Sequence, residues 1–202
     1  MPSKTDMIRS TLARLALGIG ALAAIAMASG CSTDLSDIAP TTISPKLAGE
    51  INRKGFHQQD AVLVRIFKEE SELEVWKKKF NGQFALFKTY PICRWSGKLG
   101  PKKKIGDRQA PEGFYQVSTS MLNPKSKFYL SFNLGYPNRL ESALGYTGEA
   151  LMVHGACSSS GCYAMSDAGI YEIYALANKA LQSGQTEFQV QAYPFRMNAQ
   201  NM

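Results

Sequence analysis

The residues best suited to chemistry lie between Met152 and Asp167, in the string MVHGACSSSGCYAMSD. His154, one of two histidines in the chain, stands eight residues before Cys162, across a loop of Gly, Ala, Ser and a further cysteine, Cys157. A thiol attacks as its thiolate, and a nearby imidazole is the usual means of producing that form near neutral pH. The small residues between the two leave room for another molecule's backbone to come close. Cys162 and His154 therefore read as nucleophile and base. Other arrangements use the same residues: Cys157 and Cys162 can pair as a disulfide, His154 with both cysteines makes an H-x2-C-x4-C ligand array, or Cys162 and His154 simply pack in a core. No clear fourth ligand is near in sequence, so no metal is expected, and no cofactor is called for. His57 is distant and sits among polar residues.

The elements that must position these residues are mainly β. Ala61 to Phe67 is apolar and β-branched apart from Arg65, and Leu73 to Trp76 alternates, so both read as strands, although the charges of Ser71 to Lys79 also suit a helix. Asn81-Gly82 signals a type I′ hairpin, and Phe84 to Tyr90 is the returning strand. Gly97 to Pro111, with five Gly or Pro and the Lys102-Lys103-Lys104 cluster, reads as a long surface loop of the kind that carries binding. Phe114 to Ser118, Phe128 to Leu134 and Ala150 to His154 are three more strands, the last ending on the histidine. Ser166 or Asp167 caps a helix whose Ile170, Ile173, Tyr174, Ala177 and Leu181 share one face, with Gly184 ending it. Glu187 to Tyr193 supplies a last strand. The predicted architecture is a β-sandwich or half-open barrel with one packed helix.

The N-terminus reads as an export signal. Lys4, Arg9 and Arg14 precede an uncharged run from Leu15 to Gly30 that is short for a stable membrane span. Ala28-Ser29-Gly30-Cys31 resembles a bacterial lipoprotein box, which implies cleavage before a lipidated Cys31 and a membrane anchor, in the periplasm and more at the outer than the inner membrane. The expected organisation is thus residues 1–31 as signal, 32–59 as a flexible tether rich in Ser, Thr and Pro, and 60–202 as a catalytic domain. An ordered arm wrapped on the domain is the other reading of the tether. Removing residues 1–30 takes away Lys4, Asp6, Arg9 and Arg14 and lowers the formal net charge from +7 to +5. The basic residues form no aromatic-interleaved ribbon, and with the export signal this argues against nucleic acid.

The string His154-Gly155 followed by Ser159-Ser160-Gly161-Cys162 resembles the active-site motif of the L,D-transpeptidase (YkuD-type) catalytic domain family, whose members work on peptidoglycan stem peptides. Tyr90–Gly97 (YPICRWSG), Gly106–Tyr115 (GDRQAPEGFY) and Asn133–Asn138 (NLGYPN) resemble one branch of that family, which includes enzymes that detach a lipoprotein from peptidoglycan. The likeness covers about residues 60 to 195. Two positions depart from it: Ser160 stands where many members have His, and Ala164 where many have an Arg suited to a substrate carboxylate. The resemblance implies that the Gly155 carbonyl orients His154; Asp167 is the side-chain alternative. Backbone N–H groups of Gly161 and Cys162 are the natural donors to an oxyanion. Ser159 and Ser160 add hydroxyl bonds or shape the turn, and Tyr115, Tyr129 and Trp95 line the cleft or pack in the core. Lys98 and Lys102 to Lys104, with Arg139, are expected to attract stem carboxylates.

With Cys31 lipidated, three cysteines remain in an oxidising space, and their odd number suits a free Cys162 with a Cys93–Cys157 disulfide. The expected activity is acyl transfer through a Cys162 thioester, with a stem, a lipoprotein lysine or water as acceptor. A binding lipoprotein without catalysis, and a zinc-stabilised module of His154, Cys157 and Cys162, are the alternatives.

Overall fold

Alternating apolar residues make Val62–Phe67 (β1) and Glu72–Lys78 (β2) two antiparallel strands in the computed structural model, which describes residues 42–202. β2 hairpins into Phe84–Trp95 (β3). The turn between them forms where Asn81-Gly82 predicts it, with different geometry. Only Gly82 has a positive φ, Gly82 N–H donates to the Lys79 carbonyl, and Lys79 N–H donates to the Gln83 carbonyl. This is a type I turn closed by a left-handed glycine, a three-residue loop that leaves Asn81 in an ordinary conformation.

β3 changes partners half-way along. Its first part pairs with β2 as far as Pro91, and Ile92 to Trp95 pair with Tyr163–Met165 (β8) across a bulge. Proline, which has no N–H to give, sits at the changeover. The remaining strands are Gly113–Ser118 (β4), Leu122–Ser126 (β5), Tyr129–Asn133 (β6), Met152–His154 (β7) and Glu187–Tyr193 (β9). The nine-stranded order is β4-β9-β1-β2-β3-β8-β7-β6-β5. The two outermost strands are consecutive in the chain, joined only by a 3₁₀ turn at Thr119–Met121, so the sheet curls until its edges nearly meet. The expected mainly β, half-open barrel is thus the observed fold.

Asp167–Gln182 (α3) begins at Ser166, whose hydroxyl accepts from Gly169 N–H at 3.1 Å. It buries Ile170, Ile173, Tyr174, Ala177 and Leu181, the face expected from their spacing, and packs across β6, β1 and β9. Two helices lie outside the expectation. Pro45–Arg53 (α1) occupies part of the stretch whose composition suggests a tether. Ser44 accepts from Leu47 N–H, Pro45 opens the first turn, and Leu47 and Ile51, four residues apart, are buried. Each fully buried aliphatic side chain is worth ~1.5–3 kcal/mol, enough to dock a helix that is otherwise polar. Lys88 bridges Glu50 of α1 and Glu172 of α3 at 3.0 and 2.7 Å. The short Arg139–Ala143 (α2) starts with a reciprocal cap, Asn138 and Glu141 each accepting the other's backbone N–H. The signal and Cys31 lie outside the described residues. Among the described residues no helix is long and apolar enough to cross a membrane.

Candidate active site

The parallel pairing of β7 with β8 brings the two chemical groups together. Val153 lies beside Tyr163 and His154 beside Ala164. One step before that register, Met152 meets Cys162, its N–H donating to Sγ at 3.4 Å. Side chains two apart on a strand share a face, so His154 and the sulfur look into the same space. That space is a cleft of about 490 Å³ lined by Cys162, His154, Met152 and Ala150 on one side, and by Asn123, Ser126, Lys127 and Phe128 of the β5–β6 hairpin on the other.

His154 is buried and firmly held. Its Nδ1 lies 2.6 Å from the Gly155 carbonyl, and the Phe128 ring packs on it with centroids 4.6 Å apart. A carbonyl only accepts, so Nδ1 carries the hydrogen and Nε2 is left as the acceptor a base requires. Burial pushes the imidazole's pKa below its usual value, with the Gly155 carbonyl opposing. Burial likewise pushes the Cys162 thiol up, offset in part by Met152 N–H and the charge of Lys102. The pair therefore rests as thiol and neutral imidazole. Asp167 does not touch the ring; it accepts from Ala156 N–H at 2.8 Å and so pins the turn that follows the histidine. A Cβ on Gly155 would meet Asp167 Oδ1 at 2.6 Å and the Phe128 carbonyl at 2.8 Å, so only glycine fits.

The turn after Gly155 is tied down twice more. Ala156 and Cys157 both take positive φ, uncommon for residues with a side chain, and Cys157 is bonded to Cys93 of β3. The disulfide leaves Cys162 as the free cysteine among the described residues, the pairing expected from the odd count. It also removes Cys157 from any His154–Cys157–Cys162 metal set, and the zinc module falls with it.

The coordinates decide between roles left open by the sequence and correct the substrate-binding ones. Ser159 locks the loop, its hydroxyl accepting from Cys162 N–H at 3.0 Å and donating to the Cys162 carbonyl at 2.6 Å. Gly161 N–H is held by the Ser96 hydroxyl. Both proposed oxyanion donors are thus occupied, and a substrate oxygen must displace a hydroxyl to use either. Ser160 is exposed and outside the cleft lining. Tyr115 is a core residue that donates to buried Glu141 at 2.7 Å. Lys102 is buried as well, its ammonium bound to Asp107 at 2.5 Å and to the Lys104 carbonyl at 2.8 Å, so it meets no substrate carboxylate. Arg139 is exposed at the start of α2 and does not line the cleft, nor do Tyr129 and Trp95.

Sequence reasoning passed over three residues. Ser96 lies within the YPICRWSG block yet was given no role of its own. Ser131 stands directly across β6–β7 from His154, its buried hydroxyl without a hydrogen-bond partner among the described residues. Lys68 is fully buried and binds Glu112 together with the carbonyls of Lys98, Gly100 and Ala110, so it fastens the whole 97–112 loop.

Residues 36–186 match the family model of the L,D-transpeptidase catalytic domain, known as YkuD. This chain belongs to the L,D-transpeptidase family. It is 48% identical over 141 residues to a protein of Escherichia coli (strain K12) provisionally named L,D-transpeptidase YafK, covering 70% of this chain and 57% of that relative, and equally to the counterpart in Escherichia coli O157:H7. The chain thus spans little more than half the length of these relatives. Among solved structures, the helical cell shape determining protein Pgp2 of Campylobacter jejuni (K307A mutant) superposes with a TM-score of 0.54 at 22% identity, covering 73% of this chain and 54% of that one. At that identity the likeness is one of fold.

Proposed function

We propose that this chain is an exported cysteine acyltransferase that acts on peptidoglycan stem peptides through a thioester on Cys162. The observation that carries the reading is the shared cleft: a free thiol and an imidazole whose Nδ1 is fixed on a carbonyl, which leaves Nε2 as the acceptor. In the reaction, Nε2 takes the thiol proton as sulfur attacks an amide carbonyl of the stem. The imidazolium then returns that proton to the departing amine as the C–N bond breaks. A second amine or water next attacks the thioester, with His154 again removing the proton and giving it to sulfur. The developing oxyanion displaces the Ser96 or Ser159 hydroxyl from the backbone N–H of Gly161 or Cys162.

By family likeness the acyl donor is the L-centre carbonyl of a diaminopimelate residue in a tetrapeptide stem. The disulfide and the N-terminal signal pattern support a periplasmic site of action, and lipidation at Cys31 would anchor the chain to a membrane, the outer one before the inner. Incubation with sacculi followed by mass analysis of the released muropeptides tests the reading. New crosslinks signify transfer, whereas shortened stems or a released wall-linked lipoprotein signify hydrolysis. Neither change is expected with Cys162→Ala, and unaltered muropeptides with the intact protein would refute the proposal.

A further inference from the structure

The cleft contains a cation that belongs to neither the thiol nor its base. Lys127 forms the tip of the β5–β6 hairpin, between Ser126, whose hydroxyl accepts from Phe128 N–H at 3.1 Å, and Phe128. Tyr129 follows with φ 71°, and this tight, left-handed residue fixes the direction in which the tip projects. The Lys127 ammonium lies over the Phe128 ring, 5.1 Å from its centroid, and that ring is 4.6 Å from the imidazole of His154. Phe128 also accepts Gly155 N–H on its carbonyl, so the hairpin tip and the catalytic histidine are held as one unit. Apart from His154 and Cys162 themselves, Lys127 is the only ionisable side chain among the residues that line the cleft.

None of the positions from which a cation was expected lines the cleft, the exposed Lys98, Lys103 and Lys104 included. Ala164 is buried in the sheet beside His154, Lys102 is spent on Asp107, and Arg139 lies away from the cleft. We propose that Lys127 is the specificity-determining residue that receives a free carboxylate of the stem peptide, within about two or three residues of the carbonyl attacked by Cys162. An extended peptide advances ~3.3–3.6 Å per residue, so two or three residues cover the 4.6 and 5.1 Å steps from the imidazole to the Phe128 ring and from that ring to the ammonium. The terminal carboxylate on the leaving residue and the one at the free centre of the diamino acid both fall within that span. The proposal rests on the cysteine acyltransferase reading for its substrate class.

Calorimetric binding of synthetic stem tetrapeptides to the full chain carrying Cys162→Ser tests it without any turnover. A stem with both carboxylates free is expected to bind about tenfold more tightly than a stem amidated at the carboxylate that Lys127 holds, consistent with ~1.4 kcal/mol for a partly screened ion pair. Stems amidated singly at each position identify which carboxylate that is. Adding Lys127→Ala is expected to abolish the preference, and Lys127→Arg to keep it. A preference that survives Lys127→Ala, or no preference at all, overturns the assignment. Because binding is read in a protein that cannot form the thioester, this result is independent of whether Cys162 performs the chemistry.

Discussion

Burial acts in opposite senses on the two proposed reacting groups, raising the Cys162 thiol and lowering the His154 imidazole, so each disfavours its charged form at rest. Both shifts disfavour the thiolate–imidazolium ion pair found in many cysteine hydrolases. Thiolate grows tenfold per pH unit until the pH passes the raised pKa of the thiol, above its usual ~8.5. Alkylation of Cys162 by iodoacetamide is expected to be slow at neutral pH and to climb without levelling through pH 9. A plateau reached below pH 7 would reveal a preformed thiolate–imidazolium pair. The imidazole stays neutral down to below its ordinary ~6.5, so the acid limb of kcat/KM is expected beneath that value. Gly155→Ala tests the mooring of the ring. Its methyl group collides with Asp167 and the Phe128 carbonyl, and kcat is expected to fall about a hundredfold, the cost of misplacing a catalytic group by about 1 Å, while far-ultraviolet circular dichroism stays unchanged.

Among the elements, α1 and the 97–112 loop are held by few, identifiable anchors. Ile51→Ala removes a fully buried side chain from α1 and is expected to cost ~2–4 kcal/mol in urea denaturation. A change below ~0.5 kcal/mol would return this stretch to the role of a tether. Lys68→Met leaves Glu112 without its buried partner and releases three loop carbonyls, and is expected to cost ~3–5 kcal/mol. The same loop carries Lys102, whose charge favours the Cys162 thiolate, so alkylation of the variant at fixed pH is expected to slow. The Cys93–Cys157 bond spans 64 residues and ties the turn after His154 to β3. Cys93→Ala with Cys157→Ala is expected to lower stability by ~2–4 kcal/mol, read by thermal unfolding.

In the whole molecule, the curl of one sheet brings the β5–β6 hairpin over the mouth of β7 and β8, and so builds the cleft from strands distant in sequence. Much of this was legible in the chain. Period-two alternation and turn residues mark β1, β2, β3, β4, β6, β7 and β9, spacing marks α3, and the histidine–cysteine string marks two residues that share the cleft. What stayed hidden was tertiary. α1 shows only two apolar anchors in a polar stretch, β5 contains Pro124 and exposed residues, and β8 is a three-residue segment inside what reads as loop. Lys102 reads as a surface charge, and Lys68 draws no notice, because nothing local announces Asp107 and Glu112 as their partners. The cleft face of Lys127 follows from strand pairing alone. The central claim, that a stem peptide is carried on the sulfur of Cys162, is met most directly by intact-mass spectrometry of the protein quenched in acid during turnover of a stem tetrapeptide. The account predicts an added mass equal to the acyl part of the stem, located on the peptide containing Cys162 and released by hydroxylamine. Turnover that proceeds undiminished in Cys162→Ala, with no adduct on the intact protein, would contradict it.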